Sequence, residues 1–413
     1  MLTQAMTLAE LWPEDSVIVQ RAADDSLDWL PQGPAWRERS SAVPLLLGGN
    51  LPIICHEAGA TPAGLALLRD CGFRLPSEII TYRSFEHMRE LVLEQIDHGR
   101  RIGITYSSRE PLAPAEAHVN DPETIAYLND KANLAELLPP DSFPERCVVS
   151  ASEVPVAVRA FDAWPLVLKV ASRLGTGAGA DVVICRAPED IEPARRVLAA
   201  AERLVVEAFV EFARTWCLCF GIGAESISYH GAAEQICDQR GAYLGNWCRG
   251  DDPGPDAIAW AWHAARAGQD RGYRGFFGVD AGLSEGGRTY LFDLNYRNNG
   301  STPQVLLRDS IARAWGAAVT RSCFGVVFNG TYNELIDQLA SFFSRREVVP
   351  LLTFDASRLE IEDSRPVCNL LVAGRDPAAV DANTAALREA GFEIAHLPEP
   401  RPTHYRKVPG LTE

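Results

Sequence analysis

The sequence predicts a mixed α/β protein built from more than one domain, and three observations support this. The chain has 413 residues, which exceeds the usual size of a single domain. Short apolar runs alternate with helical patterns over residues 17–120, which is typical of an open, largely parallel α/β layer. From Cys147 to about Asn329 the pattern is rich in strands and includes two Gly-rich turns, and a further α/β piece begins beyond Ser341.

The individual elements follow from apolar runs bounded by turn residues. Strands are predicted at Val43–Leu47, Leu51–Cys55, Glu78–Tyr82, Arg101–Tyr106 and Cys368–Val372. Helices are predicted at Pro62–Asp70, Ser84–His98, Asp121–Leu138 and Pro377–Ala390, the last capped by Gly391.

Composition and charge disfavour several classes of partner. The net charge of −16 argues against nucleic acid and anionic membrane, because both require a basic face. The sequence has no run of about 18 apolar residues and no signal-peptide pattern at its N-terminus, so we expect a soluble, cytoplasmic protein. The ten cysteines include no CxxC pair and lie mostly in apolar runs, which predicts reduced and mainly buried thiols.

The most informative segment is a predicted hairpin that carries two carboxylates. Alternating runs flank Gly286-Gly287, and a turn at that pair places Asp280 opposite Asp293. Asn295 and Arg297 share the face of Asp293, because strand side chains alternate, and the other face collects Val279, Ala281, Leu283, Phe292, Leu294 and Tyr296. Carboxylates about 5 Å apart repel by roughly 3 kcal/mol at an effective dielectric constant of about 20. A divalent cation bound between them would turn this repulsion into a net attraction. The set therefore predicts a Mg²⁺ site; the alternative is a solvated polar face on which Arg297 neutralises one aspartate.

Three further segments are candidates for binding a nucleotide. Lys169 interrupts an apolar strand that leads into the Gly-rich loop 172–179, whose backbone N–H groups suit phosphates. The loop is neither a P-loop nor a dinucleotide fingerprint, and Gly-rich hairpins are common, so the loop alone is weak evidence. Lys169 in the preceding strand strengthens the interpretation, because it could neutralise a phosphate. The segment 204–211 is an apolar strand end with two carboxylates, Glu207 and Glu211, although a plain connection explains it as well. Lys131 is a helix-surface lysine unless another element places it.

Taken in order, these pieces resemble the ATP-grasp superfamily of carboxylate–amine ligases, closely over residues 120–330. The resemblance implies an α/β (α+β) fold with an N-terminal pre-ATP-grasp domain at 1–120, an ATP-grasp domain at 121–335 and a small C-terminal α/β segment at 336–413. The central domain would comprise a flap subdomain at about 146–206 and a metal-site subdomain at about 207–335. The layout is similar to pheganomycin-type peptide ligases and related natural-product ligases.

The resemblance also implies a role for each matching residue, with ATP and Mg²⁺ as cofactors. Arg297 and Lys169 would be catalytic, and Asp280, Asp293 and Asn295 would hold the metal. The implied ATP-binding residues are Lys131, Lys169, Ser172, Gly175, Gly177, Gly179, Glu207, Phe209, Val210 and Glu211. The chain departs from the pattern at Asp293, where many members have Glu, and at 212–215, which places the ribose contact in doubt.

Substrate contacts are predicted more weakly, from position alone. His56 and Glu57 follow a strand at its carboxyl end, where ligands bind in open α/β sheets. His230, Glu234 and Gln235 are candidates for an acceptor pocket. Arg274 is a candidate for gripping a carboxylate, and a surface role explains it equally well.

Three functions remain open from the sequence. The first is a ligase that joins a small-molecule carboxylate to an amine through an acyl-phosphate, releasing ADP and phosphate. The second delivers the acyl group to a carrier-protein thiol, and the third is a non-catalytic nucleotide-binding protein. A homodimer is an open expectation.

Overall fold

The computed structural model describes residues 2–24, 29–30, 33–177, 179, 181–237, 243–359, 361 and 364–395. Within these residues no helix is long and apolar enough to cross a membrane. All ten cysteines are free thiols, and eight of them are buried, as the sequence predicts.

The N-terminal sheet has four parallel strands in the order β3-β2-β1-β4. Its strands are β1 (Ser16–Val19), β2 (Ile53–His56), β3 (Ile79–Tyr82) and β4 (Arg101–Ile104). Its helices are α1 (Pro34–Ser40), α2 (Pro62–Asp70) and α3 (Phe85–Asp97). The hydroxyls of Thr61 and Ser84 cap α2 and α3 by accepting from the backbone N–H of Gly64 and His87. The predicted parallel α/β layer is confirmed.

One predicted strand in this region is wrong. Residues Val43–Leu45 form a 3₁₀ helix instead of the strand expected at Val43–Leu47. Pro44 explains the difference, because proline fixes φ near the helical value and provides no N–H for a sheet ladder. Further 3₁₀ turns lie at Leu8–Glu10, Glu57–Gly59, Ala115–Ala117, Lys131–Asn133, Val158–Ala160, Pro188–Asp190 and Ala356–Arg358.

The second sheet has four antiparallel strands in the order β5-β8-β6-β7. They are β5 (Arg146–Ser150), β6 (Leu166–Ala171), β7 (Val182–Cys185) and β8 (Arg203–Ala208). The helices before and within it are α4 (Pro122–Asn129), α5 (Leu134–Leu137), α6 (Val154–Ala157) and α7 (Ile191–Val197). The single helix predicted at Asp121–Leu138 is therefore interrupted. Asp130 leaves the helical conformation, and its carboxylate accepts from the N–H of Ala132 at 2.9 Å, which begins a new turn at Lys131.

The largest sheet has nine strands, with the path β13-β12-β9-β10-β11-β14-β16-β15 and with β17 beside β14. The first five strands are β9 (Phe212–Ile222), β10 (Ile227–Cys237), β11 (Tyr243–Cys248), β12 (Gly275–Ser284) and β13 (Thr289–Asn295). The others are β14 (Val319–Phe328), β15 (Val348–Phe354), β16 (Val367–Gly374) and β17 (Phe392–Glu393). Its helices are α8 (Pro255–Asp270), α9 (Thr302–Trp315), α10 (Tyr332–Ser344) and α11 (Pro377–Glu389). The C-terminal strands thus continue the sheet that carries the two facing aspartates.

The β12–β13 hairpin has the predicted pairing at those aspartates but a different turn. Asp280 pairs with Asp293. The loop is three residues long (285–287) rather than the predicted two, because Ser284 N–H donates to Arg288 O across it. A bulge after Asp280 leaves Phe292 without a partner in the ladder and so offsets the longer loop by one residue.

The bulge also changes which side chains face the core. Leu291, fully buried, joins Val279 and Ala281 in the apolar cluster of this hairpin. Phe292, expected on that apolar face, instead stacks on Phe212 and lines the neighbouring cavity. The prediction for Phe292 was wrong because the sequence pattern does not reveal a bulge.

Candidate functional site

The carboxylates of Asp280 and Asp293 lie opposite each other on the paired strands β12 and β13, as the strand register requires. Burial, together with the adjacent charge of Asp293, raises the pKa of Asp280 to about 7. Burial acts on Asp293 in the same direction, but the charges of Lys131, Lys169 and Arg297 outweigh it and lower its pKa. Asp293 therefore has cationic neighbours, whereas Asp280 is the carboxylate whose charge is least compensated.

Lys131 connects this pair to the Gly-rich loop. Its Nζ lies 3.0 Å from Asp181 Oδ2 and 3.3 Å from Asp293 Oδ1, and it donates to the hydroxyl of Thr176 at 3.2 Å. Burial disfavours the ammonium ion, yet Asp181 and Asp293 together raise the pKa of Lys131. The lysine is thus charged and positioned between β7 and β13, rather than on the surface of a helix.

Lys169 lies in a buried charge network in the second sheet. Its Nζ is 2.5 Å from Glu207 Oε1 and donates to the backbone oxygen of Phe292 at 3.2 Å. The side chains of Lys169, Glu207 and Arg146 form the network and are nearly inaccessible to solvent. Arg146 approaches the other oxygen of Glu207 at 3.3 Å. Burial lowers the pKa of Lys169 even though Glu207 opposes the shift.

Arg297 closes the site from the loop that follows β13. Its guanidinium donates to Asn295 Oδ1 at 2.5 Å and to Thr176 O at 3.1 Å. It therefore ties the carboxylate hairpin to the Gly-rich loop. Asn295 also donates toward Asp293 Oδ2 at 3.5 Å, so its amide lies beside the carboxylate pair.

These side chains line one cavity of about 320 Å³ between the second sheet and the large sheet. The lining includes the predicted residues Lys131, Lys169, Gly177, Gly179, Gln235, Asp280, Asp293, Asn295 and Arg297. Other lining residues, among them Asp181, Thr176, Trp36, Tyr106 and Tyr243, were not singled out from the sequence. Asp181 lies two positions after the Gly-rich loop 172–179, and that position was the one signal that could have identified it.

The donor set fits a magnesium ion. Among the described residues no cluster of three or more His, Cys, Asp or Glu side chains could hold a metal. Magnesium does not require one, because proteins bind it through one or two carboxylates while it keeps several waters and substrate oxygens. Asp280 and Asp293, with the Asn295 amide beside them, supply such oxygens, and the raised pKa of Asp280 reflects burial beside Asp293 that Arg297 offsets only in part.

Several predicted nucleotide residues lie outside this cavity. The segment 207–211 does not line it; Glu207 is occupied by Lys169 and Arg146, while Phe209, Val210 and Glu211 lie in the connection from β8 to β9. Gly175 packs against Tyr106 in a small neighbouring pocket, and Ser172 Oγ accepts from the N–H of Leu174. Their contact with a nucleotide stays a prediction.

The weak substrate candidates also lie away from the cavity. His56 is buried edge-on against Tyr82, and Glu57 accepts from Arg83 at 2.7 Å. His230 contacts Ser228 at 2.9 Å, and Glu234 forms a two-pronged pair with Arg214 at 2.9 and 3.1 Å. The backbone of Arg274 bonds to Trp12 and Asn120. The structure therefore does not bring these five residues together with the facing aspartates, and of the predicted acceptor set only Gln235 lines the cavity.

Three solved structures that resemble this fold were determined with a bound nucleotide. An N5-carboxyaminoimidazole synthetase from Staphylococcus aureus, complexed with ADP, matches with a TM-score of 0.54 and 14% identity, over 92% of this chain and 99% of that one. A biotin carboxylase from Campylobacter jejuni, solved as a β,γ-ATP complex, gives 0.56 and 12%, over 92% of each chain. The biotin carboxylase domain of 2-oxoglutarate carboxylase from Hydrogenobacter thermophilus, a dimer with MgADP, ADP and bicarbonate, gives 0.56 and 14%, over 93% and 91%.

The likeness to these structures establishes the ATP-grasp fold, and the sequence itself establishes the class. Two family models match the sequence itself: the ATP-grasp domain of L-aspartate–L-methionine ligase over residues 144–295, and the N-terminal domain of the same ligase over residues 7–126. The chain therefore belongs to the ATP-grasp carboxylate–amine ligases, which form C–N bonds.

Proposed function

We propose that this chain joins the carboxylate of one amino acid to the amine of another through an acyl-phosphate, with L-aspartate as donor and L-methionine as acceptor. The observation that carries the proposal is the single cavity in which Asp280 and Asp293 meet Lys131, Lys169 and Arg297. Facing anions beside three cations suit a reaction that moves a phosphoryl group. The two amino acids are those named by the matching family models.

The bond changes of the proposed reaction balance in two steps. A carboxylate oxygen of the donor attacks the γ-phosphorus of ATP, and the bond to ADP breaks. The acceptor amine then attacks the acyl carbon, the bond to phosphate breaks, and the amine loses a proton. The released phosphate carries one oxygen from the donor carboxylate.

The chain's own residues would serve these steps by charge and position. Asp280, Asp293 and Asn295 would hold Mg²⁺, which when bound neutralises phosphate charge and orients the nucleotide. Lys131 and Lys169 would bind phosphate oxygens, with Gly179 offering a backbone N–H group; the N–H of Gly177 already donates to Trp29 O at 3.3 Å. Arg297 would stabilise the negative charge that develops on the transferring group, because its guanidinium is already fixed by Asn295 and Thr176.

Isotope transfer is the direct test of this proposal. The protein would be incubated with ATP, Mg²⁺, L-methionine and L-aspartate labelled with ¹⁸O in its carboxylates. We expect ADP, a dipeptide by mass spectrometry and phosphate that contains one ¹⁸O. AMP and pyrophosphate, with label in AMP, would establish an adenylate route and overturn the acyl-phosphate. The family names favour a free amino acid as acceptor over a carrier-protein thiol.

A further inference from the structure

A second cavity of about 220 Å³ adjoins the cavity that holds the two aspartates. The N-terminal helix α1, the C-terminal strand β15 and the loop after β13 all contribute to its wall. The two cavities share Trp36, Tyr106, Tyr243, Asn298, Asn299 and Gly300. A molecule in the smaller cavity would therefore lie against the site of phosphoryl transfer.

Arg39, near the end of α1, is the charged side chain of this cavity. Within the part of the chain that the structure describes, no carboxylate forms an ion pair with its guanidinium, whereas the neighbouring buried Arg21 has Glu38 at 2.8 Å. Burial lowers the pKa of Arg39 to about 10, which reflects a desolvated cation. The side chain is half-buried and opens onto the cavity, and a partly desolvated charge without a partner is costly, so an anionic ligand is expected beside it.

The backbone facing Arg39 is shaped to let the guanidinium approach. Gly325 in β14 has φ +63°, and a Cβ added there would lie 2.9 Å from Arg39 Nη1. The N–H of Gly325 donates to Asn369 Oδ1 at 2.9 Å, which fixes this part of β14, where the ladder with β16 is irregular. The guanidinium is thus positioned by the large sheet as well as by its own helix.

The rest of the cavity wall is mainly apolar. Val43 and Leu46 come from the N-terminal region, Leu352 from β15, Phe324 from β14 and Pro303 from α9. Such a lining with one charged group suits a small ligand that has an apolar side chain and one anion. At 220 Å³ the cavity is below the range of about 300–1,000 Å³ typical of drug-sized ligands, which favours a single amino acid over a nucleotide.

We propose that this second cavity binds the acceptor amino acid, with its α-carboxylate on Arg39 and its apolar side chain against Val43, Leu46 and Leu352. This inference rests on the proposed function and adds to it the position of one substrate. A carboxylate held by an arginine is retained in the product, whereas the donor carboxylate is consumed. L-Aspartate also keeps one carboxylate, so the apolar wall makes the assignment: it suits the side chain of L-methionine and not that of L-aspartate. The Arg39 ligand is therefore assigned as the acceptor, whose amine reaches the acyl-phosphate past the shared wall.

The test separates the acceptor step from donor activation. Hydroxylamine, a small nucleophile, would replace the acceptor, so that ATP and L-aspartate give a hydroxamate without any ligand on Arg39. We expect the Arg39→Met variant to form hydroxamate within about twofold of the wild type. Its KM for L-methionine should rise at least tenfold, because a charge-assisted pair is lost.

A second readout is insensitive to general structural damage. L-Methioninamide lacks the carboxylate, so the wild type should prefer L-methionine over it, and Arg39→Met should lose that preference. Arg39→Lys should restore part of it. Arg89→Met, an exposed arginine on α3, is the matched control and should behave as the wild type.

The outcomes distinguish this inference from the proposed function. If the wild type forms neither hydroxamate nor dipeptide, the proposed function is wrong, and the acceptor site that rests on it is wrong as well. If the wild type forms both and Arg39→Met still discriminates L-methionine from its amide, the site assignment alone is overturned. A variant Val43→Phe narrows the same cavity from its apolar wall and should likewise impair L-methionine but not hydroxylamine; equal loss of both would count against the site.

Discussion

The buried network of Glu207, Lys169 and Arg146 predicts a large and local loss of stability when its carboxylate is removed. At an effective dielectric constant of about 20, the contacts of 2.5 and 3.3 Å correspond to attractions of roughly 7 and 5 kcal/mol before desolvation is counted. In Glu207→Gln, Lys169 can lose its proton, because burial already lowers its pKa. Arg146 cannot, so one uncompensated cation remains. We therefore expect a net cost of about 3–5 kcal/mol, as for other broken buried pairs.

Hydrogen exchange of the amides of β6 and β8 measures this cost where it arises. A loss of about 3–5 kcal/mol should accelerate their exchange by roughly two to almost four orders of magnitude. The control is Glu192→Gln, which breaks the exposed pair with Arg195 and should cost below about 1 kcal/mol. The double variant Glu207→Gln/Arg146→Met should recover part of the loss. Equal exchange in Glu207→Gln and Glu192→Gln would refute the reasoning.

Three further predictions concern the site and the N-terminal sheet. Asp293→Asn should reduce turnover at least about 100-fold while keeping the melting temperature, because Asp181 continues to pair with Lys131; marked unfolding would indicate a structural role instead. Lys169→Ala should weaken ATP binding by roughly 10- to 150-fold in calorimetry, and an unchanged affinity would remove this lysine from the phosphate site. Burial lowers the pKa of His56, whose Nδ1 accepts from Ala58 N–H, so the folded state favours the neutral ring. The free energy of unfolding should therefore fall as pH drops below about 6.5, the pKa of histidine in the unfolded chain. The His56→Asn variant keeps a hydrogen-bond acceptor but does not titrate, so its free energy of unfolding, measured by urea titration at pH 7 and pH 5, should fall less between the two.

Local pattern was sufficient to predict the carboxylate pair. Alternation within two adjacent strands places Asp280 opposite Asp293, and the nearby Gly pair indicates a turn. The bulge at Phe292 was not predictable, because alternation within a strand does not reveal a residue that the ladder skips. Even so, the loop and the bulge offset each other, so the pairing was right although the turn was wrong.

The second cavity lay beyond any local signal. Arg39 and Leu352 are more than 300 positions apart, and only the packing of the N-terminal region against β15 brings them into one wall. The same limit explains why His56 and Arg274 were weak candidates. Their positions at strand ends are compatible with a ligand site, but the ring of His56 packs in the interior and the cavity lies elsewhere. The proposed domain limits likewise stay predictions.

The bulge beside Asp280 isolates the carboxylate pair from the tip of its hairpin. β12 pairs with β9 from Gly275 to Ser284, so the position of Asp280 is fixed from its other side. The tip, by contrast, consists of three exposed residues at 285–287 beyond the irregularity. A peptide tag or a fluorescent label inserted there would lengthen the loop without displacing either aspartate. This tip is therefore a permissive place to attach a reporter to an otherwise active enzyme.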